Sequence, residues 1–444
     1  MNRAAARKVR LPVEGAPSAP ATLLVLHAAE LLTVRGLPAP RTGLAASDLG
    51  IIEDGAVFVE RGRIADVGTS ETVLARHPRA TQTLDASGMV VMPGLVDAHT
   101  HAVFAGSRER EIEWKSQGLS YEDIATRGGG ILETVRATRD ASGDALARVT
   151  SERLRRMLAH GTTAAEVKSG YGLRTADEIK ILRAAQAAAA RSGVDIVRTF
   201  LGAHAVPSEF LHSREAYVDL VTNEMIDAVA ADGLAAFCDV FVERGYFDAD
   251  QGRRILLEAA SRGLRSKVHA DELSDSGGAS LAAGVGATSA DHLLHVSSEG
   301  IEALARAGTT AVLLPATSLA SKMVYADGRR LIEAGVAVAL GTDLSPNAWC
   351  ESMQLVMALA CHQNGLTPAE AIVAATTNAA HAIGLGQEVG SLEVGKQADL
   401  LIADVPSYRH LGYRLGGNAV SIVVKRGRVL ETRGQVRRVD KAIL

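Results

Sequence analysis

Residues 162–203 read TTAAEVKSGYGLRTADEIKILRAAQAAAARSGVDIVRTFLGA and hold one complete strand–helix–strand repeat. Two short β-branched runs, Thr162–Lys168 and Val194–Ala203, flank the Ala/Leu-rich helical segment ADEIKILRAAQAAAARSG. The alternation continues on both sides. Further runs lie at Val90–Ala98, Phe237–Val242, Arg265–Ala270, Gly286–Ala290, Thr309–Leu314 and Val336–Gly341, which brings the total to eight. Between two of them, SSEGIEALARAG (297–308) opens with Ser and carries Glu in its first turn, a helix-start pattern. Eight strands alternating with helices over about 290 residues predict an α/β chain folded as a (β/α)8 TIM barrel. A doubly wound sheet would be expected to carry a GxGxxG turn, which is absent. RGGGI (127–131) lacks the following GK[ST] and reads as a turn. About sixty residues separate the first two strands, roughly twice a normal βα unit. This 105–160 excursion leaves from the C-terminal rim of the barrel and is expected to cover the site.

The two ends of the chain read differently. Residues 36–50 are a Gly- and Pro-rich loop, and IIEDGAVFVERGRIADVG (51–68) alternates as a hairpin. The pattern returns in ADLLIADV (398–405) and VSIVVKRGRVLETRG (420–434). The expected organisation is a flexible tail over 1–20, a small β-sandwich domain from 21–90 plus 387–444, and a catalytic barrel over 91–386.

Composition limits the partners. The 444 residues are 47% hydrophobic and 22% charged, which is ordinary for a globular chain. A net charge of −4 and 4% aromatics speak against nucleic-acid binding and against base-stacking platforms. No apolar stretch is long enough to span a membrane; the best candidate, Leu23 to Leu32, is interrupted by His27 and Glu30. The basic N-terminus lacks the apolar middle of a secretory signal. Cys238, Cys350 and Cys361 are odd in number and show no CxxC spacing, so a reducing cytoplasm is expected.

Thirteen histidines are present. His27, His77, His160, His212, His362, His381 and His410 read as scattered structural residues, and His295 is ambiguous. The other five each close a strand of the expected barrel: His99 and His101 the first, His204 the third, His269 the fifth and His292 the sixth. Asp343 closes the eighth. Strand ends of a barrel converge on one face. His99 and His101 are two residues apart, so in a strand both point the same way and both can grip one ion. His269 adds a third nitrogen and Asp343 a carboxylate, a set suited to Zn2+ or Fe2+ with a position left open for water. Asp343 is also a candidate to take the water's proton. His292 is the candidate for polarising a carbonyl or handling a proton. Glu272, in HADEL, is either an acid/base group or a helix-cap carboxylate.

VMPGLVDAHTH (91–101), KVHADE (267–272), ADHLLH (290–295), LGTD (340–343) and GSLEVGKQADLLI (390–402) together resemble the amidohydrolase superfamily over nearly the whole chain beyond the tail. That resemblance implies a metal-dependent hydrolase of cyclic amides, amidines or esters. HAVFAGSRERE, RGGGI, AEVKSGYGL, FLGAHAVP, HADEL and SADHLLH resemble more narrowly the imidazolonepropionase family. This resemblance implies hydrolysis of 4-imidazolone-5-propanoate to N-formimidoyl-L-glutamate, with metal-bound hydroxide attacking the ring carbonyl, one divalent ion and a homodimer. Arg108, Tyr171 and His204 occupy the substrate-contacting positions. An Arg suits a propionate arm, although RERE could equally form a surface ion pair with Glu109 or Glu111. After the metal Asp many members read DFNPG, whereas this chain reads DLSPNAWCE (343–351). Ser345 replaces the contacting Asn, Asn347 and Ala348 take the next contact positions, and the neighbouring Trp349 is either a pocket wall or core.

Three other readings compete. Binuclear relatives bridge two metals with a carboxylated Lys on the fourth strand, but here that strand ends at Glu243 and Lys168 lies on the second. A deaminase of aromatic bases would use the same metal and His292, but Arg108 favours an anionic substrate. A non-catalytic barrel scaffold would tolerate ligand loss, and every expected ligand is present.

Overall fold

The computed structural model describes residues 22–119, 123–124 and 127–432. The expected tail over 1–20 lies outside them. Eight parallel strands form one sheet in sequence order: Leu95–Asp97, Thr162–Lys168, Asp195–Ala203, Phe237–Val242, Arg265–Ala270, Ser289–His292, Thr310–Leu313 and Val338–Leu340. The ring is drawn together by backbone bonds between the last strand and the first. Ala98 N–H donates to Leu340 O (3.2 Å), Asp343 N–H to His99 O (3.0 Å) and His101 N–H to Leu344 O (2.9 Å).

Three of the expected strands agree residue for residue, and the sixth is shifted towards the C-terminus. It begins at Ser289, because Gly286 turns the chain in a left-handed conformation (φ 63°) after the helix Gly278–Gly284. His292 therefore lies within that strand. The expected strand Val90–Ala98 is two strands. Gly94 N–H donates to Asp399 O, whereas Leu95 N–H donates to Gly161 O, so the chain changes partner at that peptide. Val90–Pro93 belongs to a second sheet, and Leu95–Asp97 opens the barrel.

That second sheet also has eight strands, drawn from both ends of the described chain, and pairs Val90–Pro93 with Thr22–Leu32 on one side and Leu400–Ala403 on the other. The expected hairpin is present as Ile51–Glu60 against Arg63–Thr69. Strand alternation sorts its side chains. Val91, Leu400, Ile402, Ile422 and Val424 pack with Leu23, Val25 and Val57 in the sheet's own core. Val90, Met92, Leu401, Ala403 and Val423 join the barrel's large apolar cluster. A buried ion network reinforces this contact. Asp195, which opens the third barrel strand, accepts from Lys425 Nζ (2.6 Å) and Arg426 Nη2 (2.8 Å) of the terminal sheet, and Lys425 also pairs with Asp399.

Within the barrel the same alternation has an unusual outcome. Ala165, Val167, Cys238, Val240, Val242, Val268, Ala270 and Ala290 pack in the cluster shared with the surrounding helices. The residues between them, Glu166, Lys168, Asp239, Lys267, His269 and Asp291, are buried against one another inside. The interior beneath the C-terminal rim is thus a charged stack where aliphatic layers are usual.

Candidate metal centre

The strand ends bring four donor atoms together. His99 Nε2 lies 3.2 Å from His101 Nε2, and His269 Nε2 lies 3.3 Å from His101 Nε2. Asp343 Oδ1 is 3.6 Å from His99 Nε2 and 3.5 Å from His101 Nε2. Ligands about 2.0–2.2 Å from one tetrahedral ion lie roughly 3.3–3.6 Å apart, so His99, His101 and Asp343 are spaced for a single Zn2+-sized cation, with His269 adjoining through His101. Donor chemistry points the same way. Burial holds His99 and His101 well below the usual imidazole range, so both rings are neutral. Such neutral nitrogens can share a cation, whereas Asp239 raises the pKa of the third ring, His269, against its burial.

Carboxylates beneath the donors aim the rings. Asp291 Oδ2 accepts from His99 Nδ1 at 2.6 Å, and Asp239 Oδ2 lies 2.9 Å from His269 Nδ1. With its Nδ1 bonded, His99 turns Nε2 into the centre, and the charge contact with Asp239 leaves His269 Nε2 facing the same way. Lys168 Nζ sits 2.7 Å from Asp239, 2.9 Å from Glu166 and 3.4 Å from Asp291, and Lys267 Nζ donates to Glu166 at 2.8 Å. Burial alone would neutralise Lys168, but Asp239, Glu166 and Asp291 raise its pKa above the usual value. Against the desolvation that would raise it, His269 and Lys168 keep Asp239 ionised.

Local backbone strain marks the same rim. His292 (φ 78°), Leu293 (φ 62°), Asp343 (φ 50°) and Asp271 (φ 52°) are all left-handed non-glycine residues, a conformation that costs about 1–3 kcal/mol each. Thr317 Oγ1–H fixes Asp343 by donating to Oδ2 at 2.6 Å. Burial raises the Asp343 carboxyl to about 6 and that of Glu272 to about 8. Glu272 Oε1 stands 3.7 Å from His292 Nδ1, and burial keeps His292 neutral.

The remaining candidates divide into two groups. His204 stacks on His101 with ring centroids 4.8 Å apart, and Tyr171 lies 5.4 Å from His204 and 5.8 Å from His101. Gly170, at φ 109°, permits this approach; a Cβ there would stand 2.8 Å from His204 Nδ1. Burial drives His204 down to about 3. Arg108, Ser345, Asn347 and Ala348 form a more peripheral group. Arg108 is not a surface residue but is buried, with Nε and Nη2 donating to Glu111 at 2.7 and 2.8 Å. Asn347 accepts from Lys115 Nζ (2.9 Å) and donates to Ser321 Oγ (2.9 Å). Ser345 Oγ accepts from Ala348 N–H at 3.2 Å, which closes a tight turn. Trp349 is 47% exposed and packs edge-on to Phe104, with the Arg153 guanidinium over the Phe104 ring.

The excursion after the first strand crosses the rim. Lys115 reaches Asn347 on one side, and Gly129, Ile131 and Leu132 line a cavity of about 190 Å³ with Ala205, Val206 and Tyr246 on the other. Sequence reasoning missed Glu166, Asp239, Lys267 and Asp291. Their signal was present: charged residues alternate with apolar ones in AEVK, CDVFV, SKVHA and SADH, strands that a barrel buries on both faces.

The sequence matches the amidohydrolase family over residues 90–430, and an imidazolonepropionase-like composite domain of bacteria over 55–80. It is 50% identical to the imidazolonepropionase of Symbiobacterium thermophilum over 94% of this chain and 99% of that one. The imidazolonepropionase of Geobacillus kaustophilus is 49% identical over 93% and 99%. Among solved structures, a zinc-bound adenosine deaminase from Xanthomonas campestris superposes with a TM-score of 0.69 at 20% identity, over 96% of this chain and 97% of that one. At that identity the likeness concerns the fold alone.

Proposed function

Because the chain belongs to the amidohydrolase family, and within it to the imidazolonepropionases, we propose that it hydrolyses 4-imidazolone-5-propanoate to N-formimidoyl-L-glutamate, a step of histidine degradation. The near-full-length identity to relatives of that name carries the substrate assignment. The chemistry of the site agrees with it.

His99, His101, His269 and Asp343 would hold one divalent ion, Zn2+ or Fe2+. Such an ion supplies Lewis acidity and lowers the pKa of water towards about 7. One ion is favoured over two because the fourth strand is followed by Glu243, and the Lys168 and Lys267 ammonium groups already neutralise the carboxylates beneath the ligands.

The chain's own groups account for the proton transfers. Water oxygen bonds to the ring carbonyl carbon while its proton passes to the Asp343 carboxylate. His292, a neutral buried imidazole whose two ring nitrogens make no hydrogen bond among the described residues, donates to the developing oxyanion. The lactam C–N bond then breaks. Glu272 keeps its proton near neutral pH and delivers it to the departing nitrogen. Tyr171 and His204 bond the polar ring. Arg108, its guanidinium plane fixed by Glu111, takes the propionate. Ser345, Asn347 and Ala348 form the turn that completes the substrate or product pocket, with a hydroxyl at Ser345 where relatives carry an amide. The family resemblance also implies a homodimer, which sedimentation would test.

A direct test compares 4-imidazolone-5-propanoate with the same ring lacking its propionate arm. A site built around Arg108 turns over the acid with kcat/KM about a hundredfold higher or more. Equal rates would remove the substrate assignment.

A further inference from the structure

Glu243 stands one residue past the fourth barrel strand and is almost fully buried, yet no step of the hydrolysis uses it. Its two oxygens accept five hydrogen bonds. Oε2 takes the backbone N–H of Leu273 (2.8 Å) and Ser274 (3.2 Å). Oε1 takes the Ser274 and Ser276 hydroxyls, the latter at 2.7 Å, and Arg244 N–H at 2.7 Å. Four of the five come from the residues immediately following Glu272.

That segment, ELSDSGG (272–278), has little else to order it. It is rich in Ser and Gly, and Leu273 is exposed. Asp271 secures its far end by accepting from Ser276, Gly278 and Ala279 N–H at 2.9–3.0 Å. Glu243 secures the middle. Its own position is rigid, since Glu243 N–H donates to Phe247 O and Glu243 O accepts from Tyr246 N–H, each at 3.0 Å. Only a carboxylate fits this place. A Gln would turn its NH2 group towards other donors, either the two backbone N–H groups or the serine hydroxyls.

We propose that Glu243 is a positioning residue for the hydrolysis: it clamps residues 273–276 to the end of the fourth strand and so holds the Glu272 carboxyl beside His292 at the reacting centre. The inference rests on the reading of Glu272 as the proton donor.

The test uses the metal-loaded full chain, with Glu243→Gln, Ser276→Ala, Glu272→Gln and the double variant Glu243→Gln/Glu272→Gln. Hydrogen exchange of the 271–277 amides and kcat per bound metal are measured on each. Glu243→Gln is expected to speed exchange at Leu273 and Ser274. It is expected to lower kcat per metal about 10- to 100-fold with a much smaller change in KM. The Glu272→Gln background should abolish most of that loss, because the clamp acts through the group removed. Ser276→Ala, which touches no strand, should reproduce the effect in milder form and covers the case in which Glu243→Gln fails to fold. Unchanged exchange at 271–277, or an equal kcat loss with and without Glu272, would overturn the proposal. If the wild type does not turn over 4-imidazolone-5-propanoate, the functional reading fails, and the exchange measurement alone decides whether Glu243 is the clamp.

Discussion

Asp291 Oδ2 lies 2.6 Å from His99 Nδ1, and both side chains are completely buried. The pairing fixes the ring's tautomer and presents Nε2 to the other donors. Asp291 is itself held by Lys168 at 3.4 Å. Replacing Asp291 by Asn keeps the shape but weakens the acceptor that aims the His99 ring; burial already pushes the Asp291 carboxyl above its usual range, so the acceptor's geometry matters as well as its charge. Metal affinity should fall about 10- to 100-fold, read by chelator competition at fixed pH. Unaltered affinity would show that the carboxylate is only packing.

Glu272 should make the metal-free protein less stable as pH rises. Its folded-state pKa, about 8, lies above the ordinary value of 4.5 because burial disfavours the charged form. The folded state therefore holds a proton that the unfolded state has released between those two values. Stability is fully present below the unfolded pKa and is lost as pH climbs towards 8. Glu272→Gln removes this dependence. Relative to wild type, the apo variant should gain on the order of a few kcal/mol between pH 5 and pH 8, measured by urea unfolding. A pH-independent difference would place the carboxyl in water.

Arg108 is expected to act on binding more than on chemistry. Arg108→Met should raise KM for the propionate substrate about 10- to 100-fold with a smaller change in kcat. Steady-state kinetics would show this, and the analogue without the arm should be almost indifferent to the change.

Asp195 tests the link between the terminal sheet and the barrel. Its carboxylate is depressed below its usual range: burial pushes it up, but Lys425 and Arg426 outweigh that. Asp195→Ala leaves Lys425, which is only 5% exposed, short of a partner. The cost should be about 3–5 kcal/mol near neutral pH by denaturant unfolding. A depressed carboxylate contributes stability above its unfolded pKa and loses it as pH falls through the folded one, so the gap should narrow in acid.

The barrel was legible because each strand is a short β-branched run bounded by helical sequence, and the five histidines were legible because they lie at or just beyond the C-terminal ends of four of those runs. The break at Gly94 was not, since VVMPGLVDA reads as one apolar run despite its Pro93–Gly94 pair, and the change of pairing partner at that peptide shows only in the fold. The charged stack of Glu166, Lys168, Asp239, Lys267 and Asp291 was visible as alternation but not as a site. Its meaning lies in contacts between strands 71 and 123 residues apart, as for Lys168 with Asp239 and Asp291. Glu243 was noted only for not being a lysine. Its role depends on a loop thirty residues away.

The decisive measurement incubates the metal-loaded wild type and His269→Ala with 4-imidazolone-5-propanoate and follows the product by mass spectrometry. N-formimidoyl-L-glutamate should form with the wild type and not with the variant. A folded, metal-bound wild type that leaves the substrate intact would contradict the account and place the specificity of the Ser345–Ala348 turn elsewhere.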